Sequence, residues 1–340
     1  MYSYFHKTPL DEDFFERHLA ARLPERILDA HGHFDLPEHV ASVPPEAIAG
    51  DWAMECGLLM SYEDYRAYTA ALFPGVAVEP LALPWPIYQA DTAANNDYIA
   101  GLIGRFGVRG LLTIRPEYPP EEIERRYLAG GFCGFKPYPY MASPIKSAEV
   151  GIFDFMTHEQ FALADRLGAP VLMHLPRAGK LPDPHNLADV HEILARYPRL
   201  KLILAHFGRC YTRELFLEGL AGLEDVLDRL WFDCAAVVNP EVYALAFERI
   251  DYRRILFGTD FPIMLWHGKR EWDARGYRNL CREEFSFRAH RSPEEEAGYT
   301  FVVYEQLRNL LDAIGDRPEV RRAVLYDNAA ALYQRPGAAQ

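Results

Sequence analysis

The chain has 340 residues, 49% of them apolar and 25% charged, a mixture that supports a large buried core. Its formal net charge of −13 argues against nucleic acid or an anionic membrane as the main partner, because both are bound through basic footprints. Five scattered cysteines (Cys56, Cys133, Cys210, Cys234, Cys281) with no CxxC pair argue against a disulfide framework or a cysteine zinc site. Residues 1–26 are charged throughout and lack the apolar stretch of a signal peptide. No run of ~18 apolar residues follows. The expectation is a soluble, cytoplasmic protein.

Along the chain, short runs rich in Val, Ile, Leu and Phe recur, each followed by helix-compatible text. They are Ile27–His33, Val76–Leu83, Val108–Ile114, Phe132–Pro137, Pro170–Leu175, Lys201–His206, Leu230–Ala235 and Ile255–Asp260. Short apolar runs separated by amphipathic stretches read as buried parallel strands. His174, His206, Asp233 and Asp260 near the ends of the later runs are spaced by roughly 30 residues, the length of a strand, a helix and two loops. A doubly wound open sheet would show the same rhythm but would want a glycine-rich phosphate loop. Neither GxGxxG nor GxxxxGK(S/T) occurs. The fold expected is α/β, a (β/α)8 TIM barrel.

Two stretches exceed the bare repeat: Phe34–Gly75 after the first strand and Phe261–Thr300 after the eighth. Both read as helical insertions over the barrel mouth, where loops shape specificity. Within the second, Ser292-Pro293-Glu294-Glu295 carries the cap, proline and acids of a helix start. PEVRRAVLYDNAAALYQ reads as a closing helix at about 318–334, and PGAAQ as a frayed tail. No internal linker is visible, so residues 1–340 are expected to form one domain with a barrel core at about 27–314.

His31 and His33 lie two apart on the first strand, so their side chains leave one face and can share one ion. Asp29 has the same parity but lies deeper, as a support rather than a ligand. A lone histidine is more often a satisfied, half-buried side chain. Here Lys136, His174, His206 and Asp260 also end predicted strands, and the strand ends of a barrel converge on one mouth. Three or more His and Asp ligands with one position left open is the pattern of a catalytic zinc centre.

The ordered set HGH, FKPYPY, MHLPR, AHFGR and FGTDFP, with the closing LYDNAAALY, resembles the amidohydrolase superfamily. It is most similar to the metal-dependent branch related to aminocarboxymuconate semialdehyde decarboxylase and similar hydrolases and lactonases. The resemblance spans roughly Ile27 to Pro262 and is specific for the superfamily rather than for a substrate. It implies His31, His33, His174 and Asp260 as metal ligands. It also implies Asp260 as the general base that takes a proton from metal-bound water. His206 would orient or polarise that water or the substrate; in binuclear relatives the matching histidine binds a second metal. A divalent ion can bring the pKa of water to about 7, and a neighbouring carboxylate can shuttle the proton. Zn2+ suits the imidazole-rich set, although manganese, iron and cobalt also accept His/Asp ligands.

Lys136 can be read two ways. Lys136-Pro137-Tyr138-Pro139 resembles the lysine-x-Tyr-Pro of dihydroorotases, whose carboxylated lysine bridges two metals. Many members of the decarboxylase-like branch manage with one. The expectation is one ion with Lys136 near the substrate, and two ions if Lys136 is carboxylated. Arg177, Arg209 and Arg270, with Arg115, Lys180 and Lys269, place positive charge beside the ligands of an acidic chain. Guanidinium forks suit carboxylates, so Arg177, Arg209, Arg270 and Tyr138 are expected to contact a small anionic substrate. Tyr140, Trp85, Trp266 and Trp272 are further wall candidates, and Asp233 and Asn239 are supports. The activity expected is hydrolysis of a C–N or C–O bond (amide, lactone or ester) of a carboxylate-bearing molecule by metal-activated water. The alternative is non-oxidative decarboxylation of an unsaturated or aromatic acid with the same ligands. The resemblance leaves a homodimer open, since members of the superfamily are often dimers.

Overall fold

The computed structural model describes residues 2–48, 52–143, 149–289 and 291–334. Eight parallel strands form where the apolar runs predict them, each within a run or one residue beyond it. They are β1 (Arg26–His33), β2 (Ala77–Leu83), β3 (Arg109–Gly110 and Leu112–Ile114, parted by Leu111), β4 (Phe135–Pro137), β5 (Val171–Met173), β6 (Leu202–Leu204), β7 (Leu230–Asp233) and β8 (Ile255–Leu256). Each pairs with the next in parallel. The ring closes between β8 and β1. There Ala30 N donates to Phe257 O (2.8 Å), Asp260 N to His31 O (2.8 Å) and His33 N to Phe261 O (2.7 Å). A sheet closed on itself leaves no edge strand exposed.

Helix α1 (Pro9–Phe15) precedes the barrel. Then α2 (Tyr62–Leu72), α3 (Thr92–Phe106), α4 (Pro120–Gly130), α5 (His158–Leu167), α6 (Pro184–Arg196), α7 (Arg213–Ala221), α8 (Pro240–Arg249) and α9 (Val302–Ile314) follow the eight strands in turn. Their ends carry the expected local chemistry. Ser61 and Thr157 close capping boxes, and Gly107, Gly131 and Gly168 take left-handed C-terminal positions.

Inside the ring, Leu28, Leu81, Leu111, Leu172, Ile203 and Leu256 pack with Ala329, Leu332 and Tyr333. Ala329 and Leu332 belong to the closing helical run, Pro318–Arg322 through Asn328–Leu332, and Tyr333 follows it. Arg26 reaches Tyr326 OH (2.6 Å) and Arg109 reaches Tyr333 O (3.2 Å), both from strand starts. The run therefore plugs the end where the strands begin and leaves their C-terminal ends to carry a site.

The first insertion is helical as expected, with short turns Pro37–Val40, Pro45–Ile48 and Trp52–Cys56 before α2. The second differs from the helical expectation. Its main element is an antiparallel hairpin, β9 (Gly268–Trp272) with β10 (Tyr277–Cys281), followed by the one-turn helix Pro293–Glu296 that Ser292 caps. Asp273 makes the hairpin turn, its Oδ1 accepting from Arg275 N (2.9 Å) and Gly276 N (2.8 Å). The many charges of this stretch hide that turn signal in the sequence. The terminal PGAAQ and residues 49–51 lie outside the described residues. All five cysteines are buried and none forms a disulfide. Among the described residues, no helix is long and apolar enough to cross a membrane.

Candidate metal centre

The site begins with a bulge in β1. Asp29 stands opposite Pro80 of β2 and Gly32 opposite Ala82, three steps against two. An extra residue reverses the alternation of faces. Leu28 and Ala30 join the apolar interior, and past the bulge His31 and His33 line the mouth. Asp29 does not share their face, contrary to its parity. It is buried between β1 and β8, accepting from Thr259 N (2.8 Å), Thr259 Oγ1 (2.7 Å), Tyr65 OH (3.0 Å) and His31 N (3.2 Å). Burial raises its pKa to about 6. Gly258 is needed at this seam, because a Cβ there would lie 2.8 Å from the Cβ of His31.

Hydrogen-bond partners set which nitrogen of each ring is free. His31 Nδ1 lies 2.9 Å from Asp233 Oδ2, and His206 Nδ1 lies 2.8 Å from the Ala235 carbonyl. Both partners only accept, so each Nδ1 carries the hydrogen and each Nε2 presents a lone pair. His33 differs: its Nδ1 faces the Pro84 carbonyl and its Nε2 faces Asp260 Oδ1, both at 3.3 Å, so a cation seated there would take the place of the Nε2–Asp260 contact. Asp260 Oδ1 lies 3.6 Å from His31 Nε2 and 3.3 Å from His33 Nε2. Ligand atoms of His31, His206 and Asp260 all lie within 4.8 Å of one another. Buried acceptors crowded on acceptors are a place for a cation, and the set of imidazoles with one carboxylate fits a divalent metal. His174 lines the same cavity with its ring centroid 5.4 Å from that of His206. The histidines and aspartate singled out in the sequence are thus brought together, with His206 in the tightest trio.

Protonation favours ligation. Burial pushes the pKa values of His31, His174 and His206 down. Burial opposes ionisation of Asp260, but His206, His33 and His31 outweigh it and hold the carboxyl well below its usual range. Neutral imidazoles beside an ionised carboxylate are the forms that bind metal. Asp233 braces them: its Oδ1 accepts from His206 N (2.8 Å) and Ala235 N (3.1 Å) while Oδ2 holds His31.

The cavity above measures about 300 Å³. Trp85, Tyr138, Tyr140, Tyr211 and Tyr277 wall it, and Lys180 and Arg209 bring positive charge. Other expected contacts sit elsewhere. Lys136 is buried outside the cavity lining, its Nζ without a hydrogen-bond partner and 4.9 Å from the Tyr138 ring centroid. Burial brings its pKa down to about 8. Arg177 points to Glu149 (3.3 Å). Arg270 is buried behind the wall, donating to Asn279 Oδ1 (2.9 Å) and to the Ala236 carbonyl while stacking on Tyr277 and Tyr211. Trp266 and Trp272 do not line the cavity. Asn239 caps α8 and donates to Tyr211 O (3.2 Å). Tyr211 was missed in the sequence; its only signal is its place five residues after His206.

The family described as Amidohydrolase (Amidohydro_2) matches the chain over residues 28–335. Solved structures with the same fold include 5-carboxyvanillate decarboxylase from Sphingomonas paucimobilis, with 12% identity, 92% of this chain and 100% of that chain covered, and a TM-score of 0.54. A probable 2-pyrone-4,6-dicarboxylic acid hydrolase from Acinetobacter baumannii, with citric acid bound, shares 13% identity, covering 90% and 98%, with a TM-score of 0.55. 2,6-Dihydroxybenzoate decarboxylase from Rhizobium shares 15%, covering 91% and 99%, with a TM-score of 0.55. No curated protein sequence matches the chain.

Proposed function

Because the chain belongs to the amidohydrolase family, we propose that it is a metal-dependent hydrolase of a C–N or C–O bond in a small, carboxylate-bearing amide, lactone or ester. One observation carries this reading. The ligand atoms of His31, His206 and Asp260 lie within 4.8 Å of one another, in a cavity that also presents Lys180 and Arg209. His31, His33, His174 and Asp260 would hold one divalent ion, zinc by the weight of imidazole. Such an ion supplies Lewis acidity, which acidifies water towards neutrality and polarises a carbonyl oxygen.

The protein's own residues do the rest. Asp260, kept ionised by the histidines around it, accepts and returns a proton at its carboxylate. His206, with Nδ1–H fixed on the Ala235 carbonyl, keeps Nε2 aimed at the reacting group. Asp233 keeps His31 in the tautomer that ligates. Lys136 remains an unmodified amine beneath the ligands in this reading; carboxylated, it would bring a second ion. The aromatic walls exclude water from the rest of the cavity.

Non-oxidative decarboxylation is the second reading. The tyrosine and tryptophan walls suit a flat aromatic acid, and two decarboxylases of such acids share the fold. Zinc-loaded protein incubated with lactones, amides and phenolic acids in water labelled with heavy oxygen separates the two. Label in the product supports hydrolysis. Carbon dioxide release without label uptake would replace it with decarboxylation.

A further inference from the structure

Beyond β6 the chain makes a turn of the uncommon hand. His206, Phe207, Gly208 and Arg209 have φ of 56°, 48°, 67° and 64°. Residues with a Cβ resist this region, and such strain persists only where the surroundings hold it. They do so here. His206 N donates to Asp233 Oδ1 (2.8 Å), Leu181 N to Gly208 O (3.1 Å), and Arg209 Nη1 to the carbonyls of Leu175 (2.9 Å) and Pro176. A Cβ at Gly208 would lie 2.9 Å from the Cβ of Leu181, so the turn and the Lys180 loop are in contact. Lys180 is itself left-handed, with φ of 62°. Side chains three apart on one helical turn stand about 5–6 Å apart on one side. The turn thus delivers His206 and Arg209 to the same cavity, and its bond to Leu181 brings Lys180 beside them; all three line it.

Charge is the second observation. Arg177, Arg115 and Lys269 pair with Glu149, Glu117 and Glu295. Among the described residues, Lys180 and Arg209 have no carboxylate partner, although the chain carries a net charge of −13. Burial, and then Arg209, lowers the pKa of Lys180, as expected for two cations close together without an anion. Arg209 is tied to the chain through Nη1. The Nε–Nη2 edge is left over, a two-donor fork that matches a planar carboxylate.

We infer that Lys180 and Arg209 form a carboxylate subsite separate from the metal ligands, so that the substrate carries a carboxylate in addition to the group that reacts. The inference rests on the proposed use of this cavity for substrate. The probe is isophthalate, titrated calorimetrically into zinc-loaded protein. Lys180→Gln and Arg209→Gln are each expected to weaken its binding tenfold or more with zinc stoichiometry unchanged; Tm should stay at the wild-type value in Lys180→Gln and fall in Arg209→Gln, which also loses the Nη1 bonds that hold the turn. Lys180→Arg should restore affinity to within threefold of wild type, and the control Lys269→Gln should leave it unaltered. Affinity within twofold of wild type in both glutamine variants would overturn the subsite, as would absence of isophthalate binding to wild type at millimolar concentration. The same titrations in a His31→Ala background tell the two readings apart. If the glutamine substitutions weaken isophthalate as much in that background, with or without added zinc, the subsite stands whatever becomes of the metal reading; if they have no effect there, the subsite falls.

Discussion

Two buried histidines of this molecule, His31 and His267, differ in what their second nitrogen touches. His31 gives Nδ1 to Asp233 and keeps Nε2 for the mouth. His267, just beyond β8, is equally buried, but its Nε2 lies 3.0 Å from Asp11 Oδ2 and its Nδ1 2.8 Å from Glu283 Oε1. Both partners accept, so both ring nitrogens must donate and the ring is a cation with nothing to offer a metal. Burial works to strip its proton, but Asp11 and Glu283 outweigh it and raise the pKa. At His31 burial wins and the pKa falls. Depth is the same in both places; the number of acceptors within hydrogen-bond reach decides whether a ring keeps a lone pair free or becomes a strut. His267 is a strut between α1, which carries Asp11, and the insertion after β8, which carries Glu283.

The largest test of that contrast removes the strut. His267→Leu leaves two largely buried carboxylates without their counter-charge, a change that costs about 3–5 kcal/mol. Chemical unfolding should show a loss of that size while zinc stoichiometry stays at the wild-type value. A loss below about 1 kcal/mol would mean that the ring and its partners are not a charged cluster. Loss of zinc would mean that the two histidine groups are not independent.

The complementary test leaves the strut alone and loosens His31, a ligand in the proposed function. Asp233 accepts three hydrogen bonds, from His31 Nδ1, His206 N and Ala235 N. Asparagine cannot replace it, because its amide NH2 would face a donor on one side or the other. Asp233→Asn should weaken zinc binding by about 10–100-fold, the usual cost of losing a partner behind a metal ligand, which competition against a zinc chelator measures. Unchanged zinc affinity would show that His31 is oriented by something other than Asp233.

Much of this was legible in the sequence because the physics is local. Strands buried on both faces are uniformly apolar, so eight runs stand out, and polar residues at their ends mark the mouth. His31, His33, His174, His206 and Asp260 were found that way. The bulge that turns Asp29 away was not, since an extra residue in β1 is defined only by its pairing with β2. Left-handed backbone at Lys180 and Arg209 was equally hidden, because those residue types carry no preference for it. Nor could the text tell that Arg270 turns from the cavity to the Ala236 carbonyl. The His267 strut depends on Asp11, 256 residues away, and no spacing rule spans that distance.

The smallest effect is the pH dependence of the strut. The folded pKa of His267 is raised above its ordinary value of about 6.5. Its contribution to stability is therefore complete below about pH 6.5 and is lost as pH rises through the folded pKa. Asp11 is held at about 2, where His267 and Thr8 outweigh burial, against an ordinary 3.8. Its contribution is complete above about pH 4 and is lost as pH falls towards 2. The His6 ring packs beside that of His267, with centroids 5.5 Å apart. The stability gap between wild type and His267→Leu should then be widest at about pH 4–6.5 and should narrow at about pH 8.5 and above. Unfolding titrations at about pH 5.5 and 8.5 measure it. An equal gap at both would mean that His267 is neutral in the fold, and the contrast with His31 would then lie in position alone and not in charge.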